Sequence, residues 1–190
     1  MNKTHLELCS SAEWADAVRG QIIPWVLGDT DLGDDVLEVG PGPGRTTEVL
    51  AEIVPRLAAA EVDRDLALAL AERMAPKGVE VTHADATDLP YEAGRFSAVL
   101  SFTMLHHLPT ADQQDRLFAE AARVLRPGGL FAGNDSVDSG PFRELHVDDV
   151  CNPIDPAALP PRLERAGFVD VKVDANEYGY RFRARRPGPT

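Results

Sequence analysis

Apolar positions along the 190-residue chain follow two alternating rhythms. Residues 36–39, 58–62, 79–83, 96–101 and 130–134 are short, mostly apolar stretches, as expected of strands covered on both faces. Between them apolar residues recur at helical spacing. Leu50, Ile53, Val54 and Leu57 follow the first stretch, and residues 66–74 follow the second, with Asp63 or Asp65 as the cap. Leu117, Ala121, Val124 and Leu125 follow a Thr110/Gln113 capping box and stop at Pro127-Gly128-Gly129. Near the start of the chain, Ser10 and Glu13 form another capping box. Trp14, Val18, Ile22 and Trp25 behind it predict one amphipathic helix anchored on the core by its tryptophans. Toward the end, Asp155-Pro156 opens a helix that Gly167 closes, and residues 169–173 and 178–184 read as a hairpin. Tyr178, Tyr180, Phe182 and Ala184 share one face of its second strand, and Arg181, Arg183 and Arg185 share the other.

Strand–helix alternation implies right-handed crossovers and a parallel sheet with helices on both faces. The ligand crevice of such a sheet lies beyond the carboxyl ends of its strands, so the residues just after each strand carry the chemistry. After the first come Glu38-Val39-Gly40-Pro41-Gly42-Pro43-Gly44-Arg45-Thr46-Thr47. Alternate glycines let the backbone approach a ligand closely, and the helix that follows aims free N–H groups at it. The third glycine comes one residue too early for a dinucleotide loop, and Pro41 and Pro43 remove two donors a pyrophosphate would use. A smaller anion such as a carboxylate demands less, and Glu38 is placed to balance an ammonium. After the second strand, Glu61 lies where a carboxylate accepts both hydroxyls of a ribose, leaving Asp63 as a helix cap; the exchanged assignment is the competing one. Asp85, after the third strand, is either an acceptor for an exocyclic amine or an Asx-turn residue. Ser101 to Leu108, after the fourth, should floor the reaction centre.

Charge narrows the partners. Nineteen Lys and Arg against 31 Asp and Glu give a net charge of −12, which repels phosphate backbones and argues against nucleic acid. Arg181, Arg183, Arg185 and Arg186 are the local exception, read as a solvated strand face or a basic groove. Cys9 and Cys151 are the two cysteines, which implies no disulfide framework and fits a reduced compartment. No apolar stretch approaches a membrane span, and residues 1–10 lack a secretory pattern. The chain therefore reads as a cytoplasmic single domain over 1–190. His146 with Asp148 and Asp149 is too sparse a set for a metal, and none is expected.

The strand-end blocks VLEVGPGPGRTT (36–47), AEVDRDL (60–66), HADATDLPYEAGRFSAVLSFTMLHHL (83–108) and ARVLRPGGLFAGND (122–135), with LERAGFVDVKV (163–173), resemble class I S-adenosylmethionine-dependent methyltransferases of the small, stand-alone type. The resemblance implies a Rossmann-like three-layer α/β sandwich. Its seven-stranded sheet would have the order 3-2-1-4-5-7-6, mostly parallel with the last strand antiparallel. It further implies that Gly40, Gly42 and Gly44 cradle the methionine part of S-adenosylmethionine near Glu38 and Thr47. Glu61, with Val62 beside it, would hold the ribose, and Asp85 and the Ala86 backbone would read the adenine. Ser101, Phe102 and His106 would line the methyl end. His106, then His107, are the candidate general bases, on the expectation that neighbours in sequence point different ways. Residues 101–104 lack the Asn/Asp-Pro-Pro-aromatic run of nucleic-acid amino-methyltransferases, which favours a small-molecule acceptor. Segments 1–27 and 136–155 should shape its specificity. The alternatives are an RNA or protein methyltransferase and a non-catalytic binder of S-adenosylmethionine or S-adenosylhomocysteine.

Overall fold

The computed structural model describes residues 1–188. Strands β1 (Val36–Val39), β2 (Leu57–Glu61), β3 (Glu80–His83), β4 (Phe96–Phe102) and β5 (Leu125–Ser136) run parallel. Strand β7 (Gly179–Arg185) runs antiparallel to β5 and to β6 (Val169–Ala175). The sheet order is β3-β2-β1-β4-β5-β7-β6, as the resemblance implied.

Strand alternation sends neighbouring residues to opposite cores. On one face Leu37, Val39, Val99 and Phe131 pack with Leu117 and Phe118 of α6 (Ala111–Val124) and Leu159 and Leu163 of α8 (Leu159–Arg165). On the other, Val36, Ala59, Ala98 and Leu100 pack with Val26 of α3 (Ile23–Leu27), Leu50 of α4 (Arg45–Ile53), and Leu70 and Met74 of α5 (Arg64–Met74). Caps fall largely where the sequence puts them: Asp63 accepts from the Asp65 and Leu66 N–H groups, and Thr110 from that of Gln113.

The single N-terminal helix is corrected. The chain forms α1 (Lys3–Ser10), α2 (Ala12–Ala17), a π-helical turn (Val18–Ile22) and then α3. Ser11, not Ser10, is extended and accepts from the Trp14 N–H at 3.0 Å. Asn2 caps α1 through the His5 N–H at 2.8 Å, a cap without the acid three residues on that makes a box legible. Trp14 and Trp25 lie half-buried at the rim of the core. The Pro-Gly-Gly run does not stop α6. That helix ends at Val124, and the run lies inside β5, where Gly128 and Gly129 pair with the backbone of Arg186. Tyr178 is 79% exposed and outside β7, because the Asn176 side chain takes the Tyr178 and Gly179 N–H groups and turns the hairpin there.

The outward arginines of β7 are tied to backbone carbonyls, and Arg183 and Arg185 line an open cavity of about 310 Å³ with Lys172 and Asp170. Arg181 donates to the Trp25 carbonyl and Arg183 to those of Val26 and to the Thr30 hydroxyl, holding the C-terminal end of α3. Arg185 and Arg186 donate to the carbonyls of Gly128, Arg123 and Leu125. Among the described residues, no helix is long and apolar enough to cross a membrane.

Candidate active site

The tips of β1, β2 and β3 meet along one edge of the sheet. Glu61, at the end of β2 and 5% exposed, is the brace of the site. One carboxylate oxygen accepts the Gly42 N–H at 2.8 Å and the other the Asp63 N–H at 2.9 Å. Its carbonyl accepts the Ala84 N–H at 2.9 Å, one residue before Asp85. The glycine loop, the β2 tip and the β3 tip thus share a single edge. Asp63 being occupied as the α5 cap leaves Glu61 as the strand-end carboxylate turned inward.

Gly42 has φ +54°, and Met1 is the nearest group to its open side. Gly44, at φ +85°, is the N-cap of α4; a Cβ there would collide with Leu70, so this glycine serves helix packing, not the hollow. Gly40, at φ +64°, abuts the Met104 side chain and also lines the hollow. Glu38 lies fully buried beneath the loop. Its two oxygens accept the Thr46 and Thr47 hydroxyls, the latter at 2.6 Å. Burial pushes its carboxyl up to about 7 even against those two donors. Thr47 therefore supports Glu38, and Thr46, which sequence reading passed over, faces the hollow. Val62 is 64% exposed beside Glu61, Ala86 is buried, and Asp85 is exposed with one oxygen closing an Asx turn to the Thr87 N–H. Phe102 lines the hollow, whereas Ser101 is sealed inside the sheet with no partner for its hydroxyl. That placement corrects the expectation for Ser101: it faces Val39 and Gly133 across the neighbouring strands.

Beyond β4 the chain makes a tight turn. Thr103 has φ +46°, a left-handed conformation rare for a β-branched residue, which costs about 1–3 kcal/mol. Its N–H is held by the Asn134 carbonyl. A 3₁₀ turn over Leu105–His107 follows, strapped by Gln114 to the Leu105 carbonyl and by the Asn152 N–H to the His106 carbonyl. This tight turn brings His106 and His107 together instead of sending them apart; their ring centroids are 4.2 Å from each other. His106 is 1% exposed and locked, with Nδ1 2.6 Å from Asp135 at the β5 tip. His107 is the histidine of the pair that faces the hollow.

The hollow between the glycine loop, the β4 tip and the start of the chain is only about 40 Å³, roughly the share of one liquid water. Met1, His5 and Cys9, from the start of the chain and α1, close it over Gly42 and Thr46. A larger cavity of about 610 Å³ lies between Arg19, Leu27, Asp31 and Ile53, beside the chain entering β1 and away from the carboxyl ends of the strands.

A family described as "Methyltransferase domain" matches residues 37–133. A probable S-adenosylmethionine-dependent methyltransferase of Mycobacterium tuberculosis is 30% identical over 177 residues, covering 87% of this chain and 60% of that protein. A probable tRNA methyltransferase 9B of Bos taurus is 27% identical over 156 residues, covering 81% of this chain and 33% of that protein. The crystal structure of a SAM-dependent methyltransferase from Aquifex aeolicus has the same fold, with a TM-score of 0.77 at 19% identity over 97% of this chain and 98% of that one. The chain spans 58–60% of the length of the first curated relatives it matches. With the match running from β1 into β5, through every strand tip that builds the hollow, the chain belongs to the methyltransferase-domain family, the class I S-adenosylmethionine-dependent methyltransferases.

Proposed function

We propose that this protein transfers the methyl group of S-adenosylmethionine to a small-molecule acceptor. The observation that carries the reading is the doubly engaged Glu61. It fixes the glycine loop against the β2 tip and keeps its carboxylate at the crevice, where ribose hydroxyls need an acceptor. Gly42 leaves the backbone bare for the methionine part. Thr46, held by the buried Glu38, provides polar contact beside it, and Val62, Asp85 and Ala86 frame the adenine. The single-domain reading, with 1–27 and 136–155 as the acceptor-side segments, belongs to this proposal.

The cofactor, when bound, supplies an activated methyl group on a sulfonium, open to in-line displacement. The protein's part is orientation and water exclusion, and positioning of this kind contributes up to about 7–11 kcal/mol. Phe102 and Thr103 wall the methyl end, and His107 faces it. His106, locked to Asp135 and turned from the hollow, is not placed to take a proton from an acceptor. With Met1, His5 and Cys9 filling the space over Gly42 and Thr46, α1 is the element that would move to admit the methionine end of the cofactor.

The tRNA methyltransferase among the relatives keeps an RNA acceptor as the second reading. The net charge of −12 favours the small molecule, and Arg181 and Arg183 are engaged by the Trp25 and Val26 carbonyls. Calorimetry should show one S-adenosylhomocysteine bound per chain and no NADH. Labelled S-adenosylmethionine offered with a metabolite extract and with total tRNA should put label in the small-molecule fraction. Absence of S-adenosylhomocysteine binding would overturn the activity, and label in tRNA would overturn the acceptor class.

A further inference from the structure

Four of the five histidines meet at one point above the methyl end. His5 comes from α1, His106 and His107 from the turn after β4, and His146 from the end of α7 (Gly140–Leu145). A ligand atom from each lies within 4.8 Å of the others. The hydrogen bonds at the back of two rings fix which nitrogen holds the proton. His106 Nδ1 is 2.6 Å from an Asp135 carboxylate oxygen, and His146 Nδ1 is 2.7 Å from the Phe142 carbonyl. Both partners accept, so both Nδ1 atoms donate, and in the neutral rings both Nε2 atoms present bare lone pairs. Those two Nε2 atoms face each other at 3.0 Å. Two lone pairs at that distance repel unless a proton or a metal ion lies between them. The other two rings add the same feature: His5 Nδ1 and His107 Nε2 are buried without a hydrogen-bond partner. Burying a ring nitrogen without a partner costs free energy, a cost that ligation removes.

We infer that His5, His106, His107 and His146 form a binding site for a divalent transition-metal ion of the zinc class, tying α1 and α7 to the tip of β4. Neutral imidazoles suit zinc, cobalt, nickel and copper rather than magnesium or calcium. Tetrahedral bonds of about 2.0–2.1 Å place neighbouring ligand nitrogens about 3.3 Å apart, so the His106–His146 pair needs only a few tenths of an ångström of adjustment. Asp135 behind His106 and the Phe142 carbonyl behind His146 are the outer partners that orient metal-binding histidines. Asp149, with an oxygen 3.7 Å from His5 Nδ1, adds negative charge at the rim. With His5 on the cover and three ligands on the body, the ion would hold the cover shut, and its release would open the site.

The test uses the full chain, stripped with a chelator and titrated with Co²⁺ alone. One equivalent should bind, with the intense visible d–d bands of a tetrahedral centre, and Zn²⁺ should displace it. His107→Ala removes a ligand but no hydrogen bond, and should weaken Co²⁺ binding at least about a hundredfold with an unchanged melting curve for the metal-free protein. Asp135→Asn should weaken it about 10–100-fold. His83→Ala, at a histidine bonded to the Val62 carbonyl, should leave Co²⁺ binding unchanged. No stoichiometric Co²⁺ uptake, six-coordinate spectra, or equal loss in His83→Ala would overturn the site. The cobalt spectrum needs no cofactor, so its failure is distinguishable from failure of S-adenosylhomocysteine binding.

Discussion

Glu61→Gln separates a brace from a ligand. The carboxylate takes two backbone N–H groups, Gly42 at 2.8 Å and Asp63 at 2.9 Å, one on each oxygen. The isosteric amide keeps one acceptor oxygen and turns an NH₂ toward the other donor. One charge-assisted hydrogen bond is lost in a buried setting, about 1.5–3 kcal/mol. At about 2–4 °C per kcal/mol for a chain of this size, the ligand-free protein should melt about 3–12 °C lower. Loss of the charged acceptor for the ribose should separately weaken S-adenosylhomocysteine by about 1–3 kcal/mol, a factor of roughly 5–150. Circular dichroism melts without ligand give the first number. Calorimetry well below the melting range gives the second. A lower melting temperature with unchanged affinity would show that Glu61 only braces the loop and never meets the cofactor. An unchanged melting temperature would contradict the bonding drawn for the folded state.

Glu38 gives a pH dependence with a definite sign. Its folded-state carboxyl sits near 7 because of burial, against 4.5 for the free group, so its stabilising share is complete below about 4.5 and disappears as pH rises through 7. The difference between the protein and Glu38→Gln in denaturant melts should therefore shrink by up to about 3 kcal/mol over that window; a flat difference would contradict the burial argument. Arg183→Met should cost about 1–3 kcal/mol in urea unfolding by freeing the Val26 carbonyl and the Thr30 hydroxyl, and should leave methyl transfer to a small acceptor intact after correction for folded fraction; an Arg183→Met protein as stable as the parent would return β7 to the role of a free surface. Gly44→Ala should cost about 2 kcal/mol or more, since it combines φ +85° with a collision at Leu70; a thermal melt within 2 °C of the parent would refute it.

Local pattern was enough to place the strands and the caps at Asp63 and Thr110, but not the ends of α4, whose apolar run was read through Leu57 although that residue opens β2, nor those of the N-terminal helices. Strands buried on both faces are apolar throughout, and Asp63, Thr110 and Gly167 act on their immediate neighbours. The strand-tip residues were legible for the same reason: a crossover fold puts the residue after each strand at the crevice, whatever the rest of the chain does. What escaped the sequence was set by contacts across long separations. Thr46 and Thr47 became partners of Glu38, Ser101 was sealed by Gly133, and the β7 arginines found carbonyls of α3 more than 150 positions away.

The sequence by itself determined the order of elements and the edge formed by Gly42, Glu61 and Asp85, because both follow from near-neighbour periodicity and from the handedness of the crossovers. Only the tertiary structure decided that His5, His106, His107 and His146 share one point and that α1 closes the hollow. No periodicity links positions 5, 106 and 146. Their meeting depends on where two helices outside the sheet come to rest, which side-chain packing and buried hydrogen bonds fix once the sheet is formed.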